Sequence, residues 1–241
     1  TNYHLDFSKE HLDKVLEIQA DHFKNLSYSE AQFKTEALTV KGEYLKNNAS
    51  PTRKLLAAVR NKAFDTHTYK HTTMGFFEDV EAMPEQIAYG EKFFQQFYKP
   101  EYVSLVIVGD VEPQAAMTMV EKHWGTWKKG EFVNEITQEP KQKMAKYVHE
   151  KFEGLPGHWL LVSYKGANWQ PKKKDRAALD LISELYFSNN SALYQELVVD
   201  KQLASQMFNY NPETKDAGLR HVFIKVNEEK DLATVRDAIN R

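Results

Sequence analysis

Glu36 and Glu43 stand seven residues apart in the stretch Glu36-Ala37-Leu38-Thr39-Val40-Lys41-Gly42-Glu43-Tyr44, whose composition reads as helix. At about 100° per residue, a step of seven nearly closes two turns, so both carboxylates lie on one side of that helix. Phe33, Ala37, Val40 and Tyr44 form an apolar stripe beside them, which predicts acids at the border of a buried face, each in need of a partner. Two partners satisfy that need. One is a Lys or Arg from a neighbouring element; the other is a metal ion, to which a carboxylate offers an oxygen ligand. Gly42, next to Glu43, either admits a close neighbour or is incidental.

Other chemistry-bearing residues carry less. His67 and His71 have the i, i+4 spacing of a helical chelate, but their threonine-rich neighbours and Gly75 place them in a loop. His4, His11 and His22 show no chelating pattern, and Gly109-Asp110 lacks the glycines of a phosphate-cradling loop and reads as a strand end. Phe93, Phe94, Phe97 and Tyr98 read as helix core. Lys172-Lys173-Lys174 reads as the solvated start of a helix.

The elements that position these residues follow from periodicity and breakers. Tyr3–Phe7 alternates as a short strand, and Ser8 precedes a helix with Leu12, Val15, Leu16, Ala20 and Phe23 on one face. The helix of the two glutamates begins near Ser29. Ser50-Pro51 starts a third, and a fourth opens at Pro84 and stops before Pro100. Val103-Ser104-Leu105-Val106-Ile107-Val108 is nearly continuous and β-branched, which predicts a strand covered on both faces. Pro113 begins a helix reaching Trp124, and a polar stretch follows. The same grammar then repeats: a strand over 159–164, helices over 177–187 and 191–199, strands over 204–210 and 221–226, and a final helix from about Lys230 with no stop signal before Arg241, where the chain is expected to be cut.

Composition sets the limits. The 241 residues carry a net charge of −2 with 27% charged and 41% hydrophobic residues, enough to bury a sizeable core and without the charge bias of a nucleic-acid or membrane-surface binder. Cysteine is absent, which excludes disulfides and thiolate metal sites, and no apolar run approaches the ~20 residues of a membrane span. The chain opens at Thr1 without a signal-peptide pattern, so a targeting segment is expected to be removed or to lie outside it. The compartment is left open, periplasm or cytoplasm being the choices for a bacterial protein.

Several stretches together resemble the inverted zincin family of pitrilysin, insulin-degrading enzyme and the mitochondrial processing peptidase. The opening Thr1–Leu12 looks like the strand and helix that follow that family's zinc motif, and Glu36 with Glu43 matches its downstream Glu-x6-Glu helix. His67-Thr68-Tyr69 with Gly75 fits its His-Pro-Tyr-like loop, and Tyr98-x-Pro100 before Leu105-Val106-Ile107-Val108-Gly109-Asp110 fits its Tyr-x-Pro and Val-Gly-Asp segment. Ser191-Ala192-Leu193-Tyr194 with Leu197 and Leu203-Ala204 looks like its second, non-catalytic domain. In that family zinc is held by the histidines of His-x-x-Glu-His, whose glutamate is the general base, and by the second glutamate of the downstream helix. The resemblance therefore implies that Glu43 is a zinc ligand and that Glu36 supports the site by orienting a ligand or holding a proton. No His-x-x-Glu-His occurs in this sequence, so the resemblance implies a chain starting after the motif and inactive alone.

The resulting expectation is an α+β protein of two similar units, each a mixed, largely antiparallel sheet with helices packed on one face. Residues 1–130 are expected to be the C-terminal part of a catalytic domain, 131–144 a linker, and 145–241 an incomplete non-catalytic domain. The activity implied is that of a zinc metalloendopeptidase hydrolysing unfolded peptides through metal-bound water. Its partners would be the peptide substrate, the missing N-terminal segment and a second homologous half or subunit, with no nucleic acid and no membrane. The alternative is a non-catalytic partner or scaffold subunit of the same fold.

Overall fold

The computed structural model describes residues 1–153, 157–170 and 172–241. In chain order the α-helices are α1 (Leu12–Asn25), α2 (Glu30–Asn48), α3 (Pro51–Ala63), α4 (Phe77–Ala82), α5 (Ile87–Phe97), α6 (Pro113–Trp124), α7 (Asp175–Phe187), α8 (Ala192–Tyr194) and α9 (Leu232–Ile239), and the strands are β1 (His158–Lys165), β2 (Ala204–Tyr210) and β3 (Leu219–Val226). The residues cluster into two compact units, Thr1–Lys41 with Glu78–Glu135 and Gly42–Phe77 with Ile136–Arg241. Helix α2 therefore begins in the first and ends in the second.

The first unit is helical. Leu12 and Leu16 of α1 and Ala116 of α6 are buried together, flanked by Ile107, Val111, Val120 and Trp124. Pro113 occupies the first turn of α6 and the Glu112 carboxylate accepts the Ala115 N–H at 2.8 Å, so the helix starts where proline and an acidic cap favour it. Asp13 ties α1 to α6 by accepting from Lys122 at 2.9 Å and from His123 Nε2 at 2.8 Å. Phe23 centres an aromatic group with Tyr3, Tyr98, Trp124 and Trp127. On α5 the aromatic side chains pair along the helix, Phe93 with Phe97 and Phe94 with Tyr98, but none is fully buried.

The expected strands of this unit do not form. Among the described residues Tyr3–Phe7 and Val103–Val108 are in no sheet, and Val106 and Val108 are 77% and 89% exposed. A run of β-branched residues stays a strand only when another strand meets its N–H and C=O groups, and here none does. Ile107 alone turns its side chain to the α1–α6 core. The expectation of a sheet in each of two units is thus corrected to one sheet, in the second unit.

That sheet is antiparallel in the order β1-β3-β2. β1 pairs with β3 from His158↔Val226 to Lys165↔Leu219, and β2 pairs with it from Ala204↔Val226 to Tyr210↔His221, with a bulge near Ala204. β3 is central and almost wholly buried. Val222, Ile224 and Val226 face a core with Leu197, Val235, Ala238 and Ile239, the side of the segment after α8 and of α9. Alternation turns Leu219, His221 and Phe223 to the opposite face. There α3 packs on β1, with Lys165 Nζ 3.5 Å above the Phe64 ring. Helices therefore cover both faces rather than the one expected.

Local signals act as anticipated at several ends. Ser50 is extended before Pro51 at the start of α3, and the Ser191 hydroxyl accepts the Tyr194 N–H at 3.1 Å at the start of α8. From Gln195 to Asp200 the helix continues in π form.

Candidate functional site

Glu36 and Glu43 both lie on α2, and both are exposed. Ala37 between them is buried, while Phe33, Val40 and Tyr44 are half-buried. The apolar stripe is real, but its flanking acids stand clear of it and need no compensating partner. Neither carboxylate has a hydrogen bond or ion pair among the described residues, so the Lys or Arg partner expected as one alternative does not appear. A Cβ on Gly42 would meet nothing within 4 Å, so no close neighbour accounts for this glycine. Among the described residues no three His, Asp or Glu side chains converge as a metal-holding group.

The polar cluster that the fold does assemble lies in the second unit, at the turn after α3. His67 is 4% exposed and caps a 3-10 turn over Thr68–Lys70, its Nδ1 accepting the Tyr69 N–H at 3.0 Å. That bond puts the ring proton on Nε2, which points toward Asp216 Oδ2 at 3.5 Å. The Asp216 N–H in turn donates to the Tyr69 hydroxyl at 3.3 Å. His71 belongs to a separate contact, with Thr72 O at 2.7 Å, so the two histidines form no chelate.

Glu139 completes the cluster. Its carboxylate accepts the backbone N–H groups of Asp65, Thr66 and His67 at 2.8, 3.0 and 3.0 Å, a concave nest of amides around an anion. Lys165 Nζ stands 3.8 Å from it. Burial alone would push the Glu139 carboxyl up, but the three N–H donors and the Lys165 charge together bring it down to about 2. Burial against Phe64 depresses the Lys165 amine, which the nearby carboxylates only partly offset. On the same sheet face His221 is 1% exposed, with Nδ1 2.8 Å from the Ser163 hydroxyl, and burial holds it at about 4, so the ring is neutral at ordinary pH.

Sequence reasoning placed His67 and Tyr69 in a loop but gave Glu139 no role. Its ligands are backbone amides, which leave no trace in residue type or spacing.

Comparison with known proteins decides the family. The profile for the Peptidase M16 inactive domain matches residues 91–241. The chain belongs to the M16 peptidase family. The profile described as Insulinase (Peptidase family M16) matches residues 1–75, which contain Glu36 and Glu43. Among curated proteins, the zinc protease PqqE of Helicobacter pylori is 31% identical over 90% of this chain and 49% of its own length. An uncharacterized zinc protease, YmfH of Bacillus subtilis, is 23% identical over 85% of this chain and 48% of its own. This chain thus spans about half the length of the curated relatives it matches. A Helicobacter pylori protease of known structure superposes with a TM-score of 0.85 at 29% identity, over 97% of this chain and 56% of that one. A peptidase M16 inactive domain from Pseudomonas fluorescens gives a TM-score of 0.75 at 15% identity, over the same shares, a likeness of fold.

Proposed function

We propose that this chain is part of a zinc-dependent metalloendopeptidase that hydrolyses peptide bonds in unfolded peptides. The observation that carries the reading is Glu43, an exposed carboxylate on a helix within the insulinase-matching segment, without a protein partner among the described residues. Such a group is free to serve as an oxygen ligand, and the donor chemistry fits zinc, which takes carboxylate oxygens alongside histidine nitrogens. Glu43 would hold the metal, and Glu36 would orient a neighbouring ligand or keep a proton near it. Zinc held there supplies Lewis-acid polarisation of the scissile carbonyl and lowers the pKa of water.

One carboxylate is a third of a zinc site's protein ligands, so the remaining donors are assigned to other residues of the whole protein, and this chain alone is expected to be inactive. The same whole protein would supply strands for Tyr3–Phe7 and Val103–Val108, giving the first unit the sheet that the sequence pattern calls for, and a second homologous half or subunit to enclose a peptide. Under that reading residues 1–130 belong to the catalytic domain, 131–144 join it to the second domain, and 145–241 form part of the latter. A scaffold role is the second reading, favoured by the inactive-domain profile over residues 91–241.

In the full-length protein, Glu43→Gln should abolish zinc retention and peptidase activity, while Glu36→Gln should lower activity with smaller metal loss. Full zinc occupancy in the Glu43 variant would overturn the assignment.

A further inference from the structure

Residues 138–152 carry no helix or strand, yet they follow α3 from its C-terminal end to its N-terminal end and are fastened at both. At the C-terminal end Glu139 takes the amides of Asp65, Thr66 and His67, the Thr66 hydroxyl donates to Gln138 O at 2.9 Å, and Lys146 pairs with Asp65 at 2.7 Å. At the N-terminal end Lys54 Nζ donates to Lys151 O at 2.9 Å and lies 3.7 Å from Glu150 and 5.9 Å from the Phe152 ring centroid. Each of these contacts is made by a side chain, so a single substitution can undo one end.

The chain just before this strap is fastened elsewhere. The Gly130 N–H donates to the Glu101 carboxylate at 2.9 Å, and the Tyr102 hydroxyl donates to Phe132 O at 2.7 Å while accepting the Asn134 N–H at 3.2 Å. The Phe132 ring meets Phe97 edge-on with centroids 5.1 Å apart. Between the two sets of contacts, Glu135, Ile136 and Thr137 have no hydrogen bond or ion pair among the described residues, and the division of the chain into its two compact units falls between Glu135 and Ile136. The free segment is therefore 135–137, shorter than the linker expected over 131–144.

What the strap covers favours its opening. Lys165 Nζ, 3.8 Å from Glu139 and 3.5 Å above the Phe64 ring, and His67 Nε2 are both buried without a hydrogen-bond partner among the described residues. A buried donor without an acceptor costs free energy that contact with water relieves. Closure thus depends on Glu139 and its three amides, set against two donors that gain by release.

We infer that residues 138–152 form a strap that opens and closes on α3 and the turn 65–67 as one body, hinged at Glu135–Thr137 and latched by Glu139. Opening gives water the Lys165 amine and gives a protease Lys141 and Lys143, while the β1-β3-β2 sheet stays folded. The inference is independent of any metal.

The test uses the full-length protein with Glu139→Gln, Lys54→Met and, as a control, Val235→Ala, which thins the core beneath α9 without touching strap or latch. Dilute trypsin is added, cleavage after Lys141 and Lys143 is timed by mass spectrometry, and amide exchange is read at residues 65–67. Cleavage of a transiently open segment follows its open population, so Glu139→Gln should speed both cleavage and exchange by about ten-fold. Lys54→Met, at the other end, should speed cleavage at the same two lysines, and Val235→Ala should leave it unchanged. If exchange rises in the Glu139 variant while cleavage stays within about two-fold of the unsubstituted protein, the latch holds only its own turn and the strap is overturned. Equal acceleration by Val235→Ala would also overturn it, by showing that these lysines open only with the whole unit. Should Glu139→Gln not fold, Lys54→Met decides alone, unchanged cleavage counting against a strap that moves as one body.

Discussion

Removing the charge of Glu139 should cost stability in a way that depends on pH. Its carboxylate is 13% exposed and accepts three backbone N–H groups within 3.0 Å. Its folded pKa is depressed from 4.5 to about 2. A depressed carboxyl stabilises the fold above its unfolded pKa, and that contribution is lost as pH falls through the folded value. At about 1.36 kcal/mol per unit, the shift sets a ceiling of roughly 3 kcal/mol. Asp65 and Thr66 are exposed, so solvent screening reduces the expected figure to about 1–2 kcal/mol. Glu139→Gln keeps one acceptor oxygen but turns amide donors toward amide donors, so it should lose most of that amount at pH 7. Urea unfolding of both forms between pH ~7 and ~3.5 provides the assay, since by the lower limit about two-fifths of the charge-dependent part should be gone. A gap between the forms that is below ~0.3 kcal/mol, or that stays constant across this range, would refute the view that the carboxylate charge is what the three amides hold.

His221 adds a second loss at low pH, at a higher window and for the reverse reason: burial keeps its ring neutral, at about 4 against an ordinary 6.5. The fold is favoured above the unfolded value and loses stability as pH drops from 6.5 toward 4, so His221→Phe should flatten the unfolding free energy over that window; an unchanged slope counts against burial as its cause. Gly75 has a φ of +77° with no atom near where a Cβ would stand. Gly75→Ala should therefore destabilise by about 1 kcal/mol through backbone strain alone, and a neutral result in thermal unfolding would show that the turn relaxes.

Much of the second unit was legible because its signals are local. Alternating and β-branched runs gave the three strands, and Ser50-Pro51, Pro113 and Ser191 gave helix starts, each of which depends on chain within a few residues. The first unit shows the limit of that method. Val103–Val108 has the composition of a buried strand, but a strand is defined by the neighbour that meets its backbone, which composition does not reveal. At the candidate site, helical period correctly set Glu36 and Glu43 beside an apolar stripe, yet it could not tell the border of a buried face from an exposed shoulder. The seat of Glu139 on three backbone amides was illegible for a related reason. Glu139-Pro140 in a polar stretch reads as a connector, and its partners are amides that every residue except proline possesses.

The bare segment at Val103–Val108 also governs how the polypeptide behaves at high concentration. Six uncharged residues, four of them β-branched and two with most of their surface in water, form a template on which identical segments can stack. Charges bracket it on both sides, Lys99 and Glu101 before it and Asp110 after it, and Asp110 is held by Lys9 at 2.5 Å. Such flanking charges act as gatekeepers, because stacking in register would bring like charges together at every rung. Neutralising them would leave solubility to the valines.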